Sequence, residues 1–227
     1  MRKIILTLVP AIALLLPQIA PAQGTLYLSN LGQTPTGDMA VGSDAWIAST
    51  FTTGTNSGGY VLNSIQLLLD SASGSPSGLT VSIYNFNNGQ SGSSLDALSG
   101  SDPAAGGIFT YTATNLTLLP SAGYLIMLTS ATPVTVGAYD WSLANNPAYN
   151  SSDRWNLLNA YYHSTDGSNW AVQRGNTPQF AVNATAVPEP ATYALAGLSL
   201  AWLSFWRRRH NFSQRHQSYQ NRHIGLW

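Results

Sequence analysis

Residues 79–85 read Leu-Thr-Val-Ser-Ile-Tyr-Asn, apolar and polar side chains in strict alternation. A period of two puts Leu79, Val81 and Ile83 on one face of a strand and Thr80, Ser82 and Tyr84 on the other, as in a strand with one buried face. The same period returns at 179–184, where Phe180, Val182 and Ala184 alternate with Gln179, Ala181 and Asn183. In Gly123–Thr129, Tyr124, Ile126 and Leu128 face one way and Leu125 and Met127 the other. That segment is apolar on both sides and is predicted to be a central strand.

Working outward, further β-rich runs are separated by Gly, Ser, Asn and Pro clusters, and no long amphipathic helix interrupts them between Gln23 and Ala186. Strands are predicted at Thr25–Leu31, Ala45–Thr53, Tyr60–Leu69, Leu79–Asn85, Ile108–Thr112, Leu116–Leu118, Gly123–Thr129, Val134–Tyr139, Trp170–Gln173 and Gln179–Thr185. Many short strands with regular turn signals describe a sandwich or barrel. The prediction is an all-β domain over residues 23–186, a jelly-roll-like β-sandwich. Ser71–Gly78 and Asn85–Asp102, polar and Gly-rich, are read as long surface loops. Asp166-Gly167 is read as a turn, and Ala184–Pro188 as an extended linker.

Both ends of the chain carry targeting signals. Arg2 and Lys3 precede an apolar run from Ile4 to Leu16, and Ala20-Pro21-Ala22 is a small-x-small cleavage site. Residues 1–22 are therefore read as a signal peptide, with the mature chain starting at Gln23. At the other end, Val187-Pro188-Glu189-Pro190 leads into an apolar run from Ala191 to Trp206, closed by Arg207, Arg208 and Arg209. An apolar segment with a cationic stop predicts a helix at about 191–206 that spans or anchors in the membrane. Its arginines stay cytoplasmic and residues 23–186 lie outside. Residues 210–227 then form a basic, polar cytoplasmic tail.

These features resemble the PEP-CTERM sorting signal of Gram-negative bacteria, whose parts are a Pro-Glu-Pro motif, one hydrophobic helix and an Arg cluster. Val187, Pro188, Glu189 and Pro190 carry the motif, and Arg207–Arg209 the membrane stop. The resemblance implies recognition by an exosortase, a membrane-embedded cysteine transpeptidase-like enzyme, and export to the cell surface or extracellular matrix. This chain departs from the usual pattern by continuing past the arginines, from His210 to Trp227.

A second resemblance covers nearly all of 23–186. Residues 48–54 (Ala-Ser-Thr-Phe-Thr-Thr-Gly), 60–67 (Tyr-Val-Leu-Asn-Ser-Ile-Gln-Leu) and 78–84 carry its first half. Residues 116–120, 123–126, 168–170 and 178–182 carry its second. In this order they are similar to the choice-of-anchor R domain, a family of secreted bacterial β-domains with interchangeable anchoring tails. The resemblance implies a β-sandwich and no established catalytic role.

Charge and composition narrow the chemistry. Residues 23–186 hold Arg154 and Arg174 against eight aspartates, a formal charge of −6, while the remaining basic residues sit in the terminal segments. A net-negative domain without a basic patch argues against nucleic acid as a partner. The chain has no cysteine, which removes Cys nucleophiles, Cys-ligated metals and Fe–S chemistry. The exported segment has one histidine, His163, and no glutamate. A His-rich metal centre is impossible, and no Gly-x-Ser-x-Gly elbow accompanies His163. Asp38, Asp44, Asp96, Asp102 and Asp166 adjoin Gly, Ser or Pro, where Asx-turns are their ordinary use. An aspartate pair could in principle hydrolyse a glycoside. Calcium fits loop aspartates better, though no Asp-x-Asp-x-Asp spacing is present. The expectation is no enzyme activity and no cofactor, with calcium the one ion worth testing.

Aromatic residues are densest between Tyr139 and Trp170. Trp141, Trp155, Tyr161, Tyr162 and Trp170 are candidate ligand-binding side chains there, suited to stacking on sugar rings; the competing reading puts them in the sandwich core. Three roles stay open. The first is a structural or adhesive component of an extracellular polysaccharide matrix (biofilm). The second is a carbohydrate-binding module using the aromatics of 139–170, and the third an aspartate-dependent hydrolase.

Overall fold

The computed structural model describes residues 24–87, 89–145, 148–189, 194–195 and 197–206. In chain order the strands are β1 (Thr25–Ser29), β2 (Gly37–Val41), β3 (Trp46–Thr52), β4 (Tyr60–Leu69), β5 (Ser73–Gly74), β6 (Thr80–Asn87), β7 (Gln90–Ala97) and β8 (Gly107–Thr112). They continue with β9 (Thr117–Leu118), β10 (Gly123–Thr129), β11 (Gly137–Ala144), β12 (Asn150–Ser151), β13 (Asn156–Ser164), β14 (Ala171–Arg174), β15 (Thr177–Pro178) and β16 (Phe180–Ala186).

The strands form two antiparallel sheets. One has ten strands on a spine β12-β1-β16-β4-β11-β15, with β2 and β5 on β11 and β8 and β9 on β4; the other has six, in the order β14-β13-β3-β10-β6-β7. The two sheets share one buried core, and the chain passes repeatedly from one sheet to the other, an all-β double-sheet arrangement. The first and last strands are neighbours, Leu28 opposite Val182. The chain therefore enters and leaves the domain side by side.

Alternation in the strands builds the core. Ile47, Phe51, Val81, Ile83, Tyr124, Ile126 and Leu128 of the six-stranded sheet share one buried cluster with Leu28, Leu62, Ile65, Leu67, Trp141, Phe180 and Val182 of the other. Phe51 stacks on Trp155 at 5.6 Å and on Tyr124 at 5.6 Å, and reaches Phe180 across the sandwich at 6.5 Å. Burying each such side chain stabilises the fold by about 1.5–3 kcal/mol. The two apolar faces predicted for 123–129 are both used. Tyr124, Ile126 and Leu128 face the core, while Leu125 and Met127 join a second cluster with Ala48 and Tyr162 on the outer face of the six-stranded sheet.

Several expectations need correction. Asn85–Asp102 is not a long loop: β7 occupies Gln90–Ala97 and pairs with β6 as a hairpin at the sheet edge. Because β7 has a neighbour on one side only and most of its side chains are exposed, it needs no apolar alternation. Within Ser71–Gly78, Ser73–Gly74 pairs with β11. The strand expected at Val134–Tyr139 runs instead from Gly137 to Ala144, and the aromatic stretch 156–164 is itself the strand β13. The expected linker at Ala184–Pro188 begins as strand, since β16 continues to Ala186. The membrane-spanning helix expected at 191–206 is not found among the described residues. Residues 194–195 and 197–206 are helical, but no described helix is long and apolar enough to cross a membrane. The signal peptide at 1–22, Pro190, Arg207–Arg209 and the tail at 210–227 lie outside the described residues.

Candidate functional site

The five candidate aromatics do not converge. Trp141 and Trp155 are 0% and 1% exposed. Trp141 donates its indole N–H to Gln179 O at 3.0 Å. Trp155 stacks on Tyr27 at 5.1 Å and meets Tyr60 edge-on at 5.0 Å. Both are core residues with no face open to a ligand, so the expectation that they bind a glycan is corrected. Tyr161 belongs to the inner cluster. Tyr162, next along β13, points to the outer face, where its ring meets Phe86 at 5.3 Å. Trp170 packs on that outer cluster and is only partly buried.

Trp170 opens onto a cleft of about 450 Å³ on the outer face of the six-stranded sheet, lined by Trp46, Tyr84, Gln90, Ser91, Met127 and Ser168 beside it. Trp46 and Tyr84 escaped the sequence reading because they lie outside 139–170. A signal was present in Tyr84, an aromatic ring on the polar face of the alternating strand.

The loop carrying Trp170 is held by its own polar groups. Asp166 Oδ1 accepts from Ser168 N at 2.8 Å and Asn169 N at 3.1 Å, and Ser164 Oγ accepts from Gly167 N at 2.9 Å. The Ser168 and Asn169 N–H groups, with the Ser164 hydroxyl, hold the Asp166 carboxyl down to about 2. Gly167 has φ +74°, and a Cβ there would collide with the Trp46 ring, so the residue serves both the turn and the packing. The predicted Asp166-Gly167 turn thus joins β13 to β14.

Other aspartates serve the backbone too. Asp102 accepts from Gly78 N at 2.7 Å and Leu79 N at 2.9 Å, and Asp44 from Val134 N at 2.8 Å. Asp38, Asp70 and Asp140 lie close enough to interact. Burial, and then the Asp38 charge, push the Asp70 and Asp140 carboxyls above their ordinary value, with Asp70 adding to the effect on Asp140. Among the described residues no group of three or more His, Cys, Asp or Glu is arranged to hold a metal ion. His163 lies on β13 opposite Ile47, exposed, with its ring 6.2 Å from that of Tyr161.

The described part of the sorting segment is docked on the domain. Val187 N donates to Gly59 O at 3.0 Å, continuing the line of β16. Asn56 Nδ2 donates to Val187 O at 2.9 Å and to Gly59 O at 2.6 Å. Ser57 N donates to Glu189 Oε1 at 3.5 Å. A Cβ at Gly58 would collide with Val187 O, so the Asn-Ser-Gly-Gly turn at 56–59 lets the segment lie flat. Asn56 also connects to the core through Tyr60, whose hydroxyl accepts from Asn56 N at 3.1 Å and donates to Asp153.

Among curated proteins none matches this chain. Residues 186–209 match the PEP-CTERM protein-sorting motif. The matched stretch begins at the last residue of β16 and includes Val187–Pro190 and Arg207–Arg209. It indicates exosortase-dependent sorting of an exported protein, made as a membrane-anchored precursor in Gram-negative bacteria.

Proposed function

We propose that this protein is a non-enzymatic, surface-sorted component of the cell envelope or extracellular polysaccharide matrix, where its domain acts structurally or adhesively. One observation carries the reading: the matched sorting segment follows directly on β16, so the same chain joins a folded β-domain to an export and processing signal. On this reading residues 23–186 are a choice-of-anchor R-like domain, which fits a display role. So does a composition with one histidine and no glutamate in that segment. Backbone N–H groups held by Asp44, Asp102 and Asp166 are the ordinary business of turn aspartates and leave those carboxylates to the fold.

Fractionation of cells that carry an exosortase provides the test. The protein is expected in surface or matrix material, freed from residues C-terminal to the Pro-Glu-Pro motif. It is expected to leave matrix polysaccharide at its original chain length. Peptides of Ala191–Trp227 still joined to the domain in surface material would make the tail a plain anchor, and shortened glycan would favour a hydrolase.

Carbohydrate binding is the second reading. It keeps Trp170 and loses Trp141 and Trp155, and the cleft on the six-stranded sheet is the observation in its favour.

A further inference from the structure

The cleft on the outer face of the six-stranded sheet has a volume of about 450 Å³, within the roughly 300–1,000 Å³ of small-ligand sites. Four separate parts of the chain build it. Tyr84, Gln90 and Ser91 come from the β6–β7 hairpin, Met127 from the central strand β10, Trp46 from the start of β3, and Trp170 from the loop between β13 and β14.

Its chemistry is specific. The Trp46 indole donates to Ser43 O at 3.0 Å and the Trp170 indole to Gly167 O at 3.1 Å. Both N–H groups are already used, so what the two partly exposed rings can offer a ligand is the part of their apolar surface left uncovered by the outer cluster. The amide of Gln90 and the hydroxyls of Ser91 and Ser168 supply donors and acceptors that can turn toward a ligand's hydroxyl groups. None of the described residues lining the cleft is charged. A carboxylate or sulfate would therefore find no counter-charge, and the formal charge of −6 on residues 23–186 repels polyanions at longer range. Apolar ring surface combined with neutral hydrogen-bonding groups matches a pyranose ring, which has a C–H face and a hydroxyl rim. The hydrogen bonds of the Ser164–Trp170 loop and the Gly167–Trp46 packing fix one wall before any ligand arrives, which lowers the ordering cost of binding.

We propose that this cleft binds a neutral saccharide, a short stretch of uncharged polysaccharide, by stacking on Trp46, Tyr84 and Trp170 with hydrogen bonds from Gln90, Ser91 and Ser168. This rests on the matrix-associated role above and gives it one site and one ligand class. It differs from a binding face built on Trp141 and Trp155, which the core already occupies.

The test titrates the full chain, held in a non-glycosidic detergent, with cellotetraose, chitotetraose and mannotetraose as neutral probes, with tetragalacturonate as an acidic one, and with a proline-rich peptide. At least one neutral probe should shift the indole N–H resonances of Trp46 and Trp170 and leave those of Trp141 and Trp155 in place. Trp170→Ala should weaken its binding at least tenfold, and Trp170→Phe should restore part of it. Gln90→Ala, at an exposed hairpin position that cannot unfold the core, should weaken it several-fold. The proposal is overturned if no neutral probe moves the two indoles, if only tetragalacturonate or the peptide binds, or if Gln90→Ala and a folded Trp170→Ala bind as the wild type does. Matrix retention separates the two readings. A wild-type protein that binds saccharide but never associates with the matrix refutes the adhesive role and leaves the cleft standing. A matrix-associated protein whose cleft variants bind saccharide unchanged does the reverse.

Discussion

Asn56→Ala isolates the docking of the sorting segment from the stability of the domain. Asn56 Nδ2 holds Gly59 O at 2.6 Å and Val187 O at 2.9 Å. Truncation removes both bonds, but only the one to Val187 O joins the segment to the domain, the other lying within the 56–59 turn. That single bond contributes about 0.5–1.5 kcal/mol net, so its loss raises the undocked population of Val187–Glu189 roughly fivefold. Amide exchange at Val187 reads this directly, because its N–H donates to Gly59 O at 3.0 Å. Exchange there should accelerate about fivefold, while the amides of β16 that pair with β4 keep their protection. The melting temperature should fall by no more than about 2–4 °C per kcal/mol, the scaling for a domain of this size. An extended peptide entering an enzyme cleft needs free backbone groups. The clamp must therefore open before processing, and Asn56→Ala should be processed faster than the wild type in cells with an exosortase. Gly58→Ala should act in the same direction, since its Cβ meets Val187 O. Unchanged exchange at Val187 in both variants would refute the clamp, as would loss of protection along the whole of β16.

Trp155→Ala and Trp141→Ala should each destabilise the domain by about 3–5 kcal/mol in denaturant titration, because both side chains are fully buried; a loss under 1 kcal/mol would remove them from the core. Asp70 and Asp140 have carboxyls raised above the unfolded value. Folding therefore favours their protonated forms, and their contribution to stability should rise as pH falls from neutral through the raised values. Asp70→Asn and Asp140→Asn should raise the neutral-pH melting temperature and flatten this dependence, and a steeper dependence would contradict the assignment. Asp166 has the opposite sign: its contribution is full above the ordinary carboxylate value and is lost as pH falls toward about 2. Asp166→Asn should abolish that part of the acid transition and mobilise the Trp170 indole, seen as collapse of its resonance dispersion. Gly167→Ala should disturb the Trp46 and Trp170 resonances together, through its φ of +74° and its contact with the Trp46 ring.

Local alternation made most of the sandwich legible. Tyr60–Leu69 and Gly123–Thr129 match their strands residue for residue, because a strand buried on one or both faces must show its period to fold. Most of the strands that escaped are edges or short pairs. Gly37–Val41 and Gln90–Ala97 gain most of their stability from backbone hydrogen bonds to one neighbour, and that leaves little mark on side-chain identity. Asn156–Ser164 escaped for another reason: its tyrosines fit a binding loop as well as a strand until its partners β3 and β14 are known.

The sequence by itself determined a mostly β domain followed by a Pro-Glu-Pro sorting segment, and a net-negative composition with one histidine and no glutamate in residues 23–186. These rest on periods, charges and short motifs that act over a few residues. Tertiary structure alone decided which aromatics are buried in the core and which line the outer cleft. Tyr161 and Tyr162 are adjacent yet point into opposite clusters. Trp46 and Trp170, far apart in the chain, meet across Gly167 because β13 crosses beside β3. It also decided that Val187 lies against Gly59 rather than in a free linker. Such placements follow from strand order, which no local pattern encodes: a side chain is a core residue or a binding residue according to what the fold brings opposite it.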